Sequence, residues 1–132
     1  MKELNLKEVQ RINEWLQQID VEKVANDPYT LHEISIRCAT YKAFVAEQMA
    51  ISKKDWHDAK IKAYNVFLLS NEANRTRVEQ YGVMVIKDYI ASKCGSHEAI
   101  FLYCERTNNA CGEMSDVCRT VISSLKELTK AA

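Results

Sequence analysis

Five cysteines and three histidines are the side chains of this 132-residue chain best suited to hold a metal or act as nucleophiles. Three of the cysteines, Cys104, Cys111 and Cys118, recur every seventh residue, with His97 one heptad before them and Leu125 one heptad after. Seven residues of helix rise about 10.5 Å, whereas zinc holds sulfur at about 2.3 Å, so no two of these thiols can share an ion within one helix. The same rise forbids disulfides along the stripe, because bridged Cα atoms lie within about 7 Å. Across a parallel two-fold axis the same cysteine from two chains would come close enough to bridge on oxidation. Cys94 and His97 are three apart, but Gly95 lies between them and no second CxxC or HxxxH pair exists. Neither a bound metal nor a cofactor is expected.

Other catalytic patterns are missing as well. Carboxylate-bridged di-iron bundles need Glu-x-x-His, yet the residues three before His32, His57 and His97 are Tyr29, Lys54 and Cys94. There is no GxxxxGK[ST] to cradle phosphates and no GxSxG nucleophile turn. The chain does not read as an enzyme. Its cysteine stripe reads as packing: Ile100, Thr107, Met114 and Val121 run between the heptad positions, and small buried side chains at that spacing mark a long helix lying along a partner.

The elements that carry these residues are helical. Three glycines and one proline leave little to punctuate strands, while residues that lose little on entering a helix abound. Asn5 followed by Glu8 has the form of a capping box, and Val9, Ile12, Leu16 and Ile19 then recur at three and four, predicting a helix over about 6–24. Asp27-Pro28 is a second start. Leu31, Ile34, Cys38, Tyr41, Val45 and Met49 predict a helix from 28 to about 51, with a third from Ser52 either separate or continuous with it. Ser70-Asn71-Glu72-Ala73-Asn74 reads as a turn, 76–93 as a fourth helix stopping at Gly95, and the last helix runs from Ser96 to about Lys130. The expected fold is therefore all-α: a single domain over 1–132, an elongated bundle of about four to five helices, its long C-terminal helix carrying the heptad seam. A rod of that length overhangs a compact domain of this size, so either the bundle is elongated or part of this helix packs on another chain. The second favours an oligomer with Ile100, Cys104, Thr107, Cys111, Met114, Cys118, Val121 and Leu125 as its seam, which lies within the chain in the first case and between chains in the second.

Eighteen basic residues balance eighteen acidic ones. The balance is uneven along the chain: residues 51–95 hold eight basic and five acidic side chains. There Lys53, Lys54, Lys60, Lys62, Arg75, Arg77, Lys87 and Lys93 alternate with Trp56, Tyr64, Tyr81 and Tyr89. Cations that follow phosphates and rings that stack on bases are what sequence-tolerant binding of single strands requires. The plain alternative is a solvated face beside core aromatics, with Asp58 and Lys62 an ordinary pair along a helix. No apolar run approaches the roughly 20 residues of a membrane span, and the acidic start lacks a signal peptide's apolar block, so a soluble cytoplasmic protein with reduced thiols is expected.

The layout of a short first helix, a lysine-rich middle, Arg75-Thr76-Arg77-Val78, Lys87-Asp88-Tyr89-Ile90 and a final helix ending Cys118-Arg119-Thr120-Val121-Ile122-Ser123-Ser124-Leu125-Lys126 resembles small all-helical bacteriophage proteins of the UvsY-like recombination-mediator kind. The resemblance spans about 30–126 and implies a ring-forming, non-enzymatic protein that binds single-stranded DNA and helps load a recombinase. Lys53, Lys54, Lys60, Lys62, Arg75 and Arg77 would then contact the DNA, and the C-terminal helix would drive assembly. The neutral overall charge departs from that pattern. The other class open to this sequence is a helical adaptor or inhibitor whose target is one protein partner, with no nucleic-acid role.

Overall fold

The computed structural model describes residues 3–69, 76 and 82–131, and among them every regular element is a helix. Helix α1 spans Leu6–Gln17, α2 Val21–Val24, α3 Pro28–Leu69, α4 Val83–Lys93 and α5 Gly95–Ala131. The all-α expectation is met. The long C-terminal helix has a longer companion: α3 runs unbroken for 42 residues, about 63 Å of rod. The two predicted middle helices are thus one, since nothing near Ser52 breaks the ladder, and the Ser52 hydroxyl donates to the Met49 carbonyl at 2.8 Å within the helix.

α3 and α5 lie antiparallel and make the main contact of the fold. Ser35 meets Ser115 through a buried hydroxyl pair at 3.2 Å near one end, and Trp56 meets Phe101 with ring centroids 5.6 Å apart near the other. Between these points the seam is built from small side chains. Cys38, Val45 and Ser52 on α3 are buried with Cys104, Thr107, Cys111, Ser115 and Cys118 on α5. The hydroxyl of Thr107 is satisfied by the Tyr103 carbonyl at 3.0 Å, so burying it leaves no stranded donor. Small residues let two helices approach closely, with packing contact standing in for bulk.

α1 covers the middle of this pair. Its Ile12 and Leu16 form one core cluster with Cys38, Val45 and Cys111, and Trp15 packs edge-on to Tyr41 at 5.2 Å. The predicted capping box is half made. Glu8 N–H donates to Asn5 Oδ1 at 3.2 Å, but the Glu8 carboxylate turns to Arg11, and Asn5 N–H donates instead to Gln48 Oε1 of α3 at 2.6 Å. A long-range tie replaces the local one. The first predicted helix also stops short, at Gln17, because Asp20 caps a new turn by accepting from Glu22 N–H at 3.1 Å. Asp27 starts α3 as expected, accepting from the Thr30 amide at 3.1 Å and the Thr30 hydroxyl at 2.6 Å, which hold its carboxyl below the usual range. α4 stops before Gly95 as expected, at Lys93 with Cys94 as its cap, and Gly95 itself opens α5, one residue earlier than Ser96. The predicted turn at Ser70–Asn74 and most of the 76–82 stretch lie outside the described residues.

Candidate nucleic-acid interface

The cysteine stripe and the lysine-rich segment end up in opposite environments. Cys38, Cys104, Cys111 and Cys118 have no solvent exposure, and all five cysteines are free thiols. Burial raises the pKa of each of these four thiols, and Cys38, facing Cys111 and Cys118, is pushed up to about 12. The Lys42 ammonium pulls the other way on Cys111. Thiols held neutral are poor nucleophiles and poor ligands. Among the described residues no group of three or more His, Cys, Asp or Glu side chains is placed to hold a metal ion.

The seam assigned to assembly is occupied within the chain. Cys104, Thr107, Cys111 and Cys118 are buried and Ile100, Met114, Val121 and Leu125 half-buried along a helix whose partner is α3. The reason is that α3 carries a matching face of small side chains, Ser35, Cys38 and Ser52, of which the hydrophobic period registered only Cys38. Cysteines turned inward in this way cannot bridge across a two-fold axis. Ile100, Met114, Val121 and Leu125 are the members of that seam that keep partial exposure.

The proposed DNA contacts of the described α3 do not form one row. Lys53 and Lys60 stand one heptad apart on a common flank, whereas Lys62, at about 100° per residue, points to the opposite flank and Lys54 to the back. Lys53, Lys54 and Lys62 are exposed and Lys60 half-buried. Lys54 Nζ lies 3.7 Å from Asp58. Arg75 and Arg77 lie outside the described residues, as does Tyr81. Lys60 Nζ sits over the Trp56 ring, 3.6 Å from its centroid, and Phe101 packs against that ring too. Tyr89 leans on Phe67 at 4.7 Å. Of the described rings in this segment Tyr64 is exposed, while Trp56 and Tyr89 are half-buried. The aromatic residues thus serve the fold first, and a base could reach Trp56 only by displacing Lys60.

Two clefts border α4 where it crosses the end of the α3–α5 pair. One, of about 280 Å³, is lined by Trp56, Lys60, Lys87, Ile90 and Glu98. The other, of about 370 Å³, is lined by Ala59, Lys62, Val66, Tyr89, Lys93 and His97. The second was not foreseen. Its members come from three helices, and the one hint in the sequence was the spare cations of α3 and α4. No helix of the described residues is long and apolar enough to cross a membrane. No protein-family model, curated protein or solved structure matches the chain.

Proposed function

We propose that this chain is a non-enzymatic, oligomerising helical protein that binds single-stranded DNA weakly and assists a recombinase, in the manner of the phage recombination mediators it resembles. One observation supports this reading most: Lys53, Lys54, Lys60, Lys62, Lys87 and Lys93 cluster at one end of the rod, facing only Asp55, Asp58 and Asp88 within the same helical stretches. The excess of positive charge sits on two sides of that end, so a strand would wrap it more readily than lie in one groove. Repeating such a weak patch around an assembly multiplies its affinity.

The test is anisotropy of a fluorescent single-stranded oligonucleotide with micromolar protein. Binding at about 50 mM salt that weakens as salt rises is expected, because neutralised phosphates release counterions. The double variant Lys53→Glu, Lys60→Glu should bind more weakly with a shallower salt slope. Absence of binding at low salt would remove the reading, and a monomer by light scattering would remove its assembly half.

A second reading, a helical adaptor for one protein partner, is favoured by a separate observation. Ile61, Tyr64 and Leu69 of α3 and Met84 of α4 are all exposed near the same end. A pull-down that recovers one protein irrespective of nuclease treatment would favour it.

A further inference from the structure

We propose that the cleft between α3, α4 and the first turn of α5 is a binding site for a small organic anion with an apolar body and a single acidic head, such as an aromatic carboxylate or sulfonate. Its walls are apolar: Ala59 and Val66 on one side and the Tyr89 ring on the other. A cleft of about 370 Å³ falls in the range that holds small organic ligands. Two ammonium groups belong to it from different helices, Lys62 of α3 and Lys93 of α4, and Lys93 Nζ stands 5.7 Å from the Tyr89 ring centroid. No carboxylate is among the described residues that line it, so the pair is not neutralised there. The neighbouring cleft around Trp56 differs on this point, because Glu98 lines it beside Lys60 and Lys87.

His97 supplies the remaining sign of a ligand. It lines the cleft, and its Nδ1 is buried with no hydrogen-bond partner. Buried polar atoms are nearly always paired, and an exception calls for a missing partner. Two ammonium groups with no carboxylate in the described lining, set on apolar walls, select an anion whose body displaces water while its head meets the lysines. The cleft shares Lys62 and Lys93 with the lysine cluster of the nucleic-acid reading but not Lys53, Lys54 or Lys60, and an oligonucleotide competitor separates the two.

Two fluorescent probes of one shape test it: anilinonaphthalene sulfonate, and N-phenylnaphthylamine, which has the same ring body without the acid. The full chain should bind the sulfonate at least about tenfold more tightly. The double variant Lys62→Glu, Lys93→Glu should lose about tenfold or more of that affinity, while Lys54→Glu, which removes a lysine outside the cleft, should leave it unchanged. Both lysines of the double variant are exposed, so far-UV circular dichroism should match the parent. Equal affinity for the two dyes would overturn the proposal, as would a loss in Lys54→Glu of about half that of the double variant on a logarithmic scale, which would reduce the effect to overall charge. Displacement of the sulfonate by a single-stranded oligonucleotide would also overturn it, by making the cleft part of a phosphate-backbone path.

Discussion

The middle of the α3–α5 pair and its α4 end use the same two helices to opposite effect. In the middle, α1 lies over the pair, and Ile12, Cys38, Val45 and Cys111 are at most 1% exposed. At the α4 end, Ile61, Tyr64 and Val66 stand 48%, 45% and 47% exposed, clefts open on both sides of α4, and lysines outnumber aspartates. Burial is concentrated in the middle, and exposed apolar and basic side chains at the end.

The strongest way to break that contrast is to charge the middle. Cys111→Arg places a cation where no solvent reaches and should cost about 4 kcal/mol or more, read as loss of the cooperative urea transition. A matched truncation sharpens it: Ile12→Ala should cost about 2–4 kcal/mol by opening a cavity, while Ile61→Ala should stay within about 0.5 kcal/mol. Similar costs for the two would mean that the α4 end is covered in solution, as an assembled form would require.

Alkaline pH probes the seam through its thiols. Above 9.0 the unfolded chain sheds thiol protons that the buried cysteines keep, so stability present at neutral pH is lost as pH climbs toward about 12. Each thiol contributes at most about 1.4 kcal/mol per pH unit, and the urea midpoint should fall between about pH 8 and about pH 10. Replacing Cys104, Cys111 and Cys118 together by serine should flatten that fall and cost less than the single arginine.

The smallest effect tests how closely the two helices approach. A Cβ on Gly112 would meet Lys42 Nζ at 2.7 Å, which is the far end of a flexible side chain and can swing away. Gly112→Ala should then stabilise by about 0.5 kcal/mol, since glycine inside a helix is unfavourable by about 0.8–1.0 kcal/mol. Destabilisation would show that Lys42 is pinned over the seam.

How much of this was legible in the sequence varies with the physics of each element. The last helix, expected from Ser96 to Lys130, spans Gly95–Ala131, because a heptad of buried residues survives in the sequence whatever it packs against. Its partner was legible in part, since Leu31, Cys38 and Val45 of the expected face are buried. The buried face of α3 includes Ser35, Gln48 and Ser52, which a search for apolar period passes over, although the quantity that matters there is size. The α1 boundary failed for a related reason. Ile19 keeps the helical period, but Asp20 offers a competing cap. The lysines were visible as a composition bias, yet their division between two flanks and the cleft at His97 depend on where α4 crosses, which no local pattern encodes.

The antiparallel pairing also sets an order of events during synthesis. Trp56 and Phe101 are 45 residues apart in the chain, whereas Ser35 and Ser115 are 80 apart. Loop closure is less demanding at the α4 end, so the hairpin has reason to zip from there toward the termini. A ribosome that has made α1 through α4 has produced Cys38 and Val45 with Ile12 and Leu16 but without the α5 side of their shelter, Cys111. For that interval the small-residue face of α3, Ser35, Cys38 and Ser52, lacks its partner helix, and the release of α5 is what turns the chain into a folded protein.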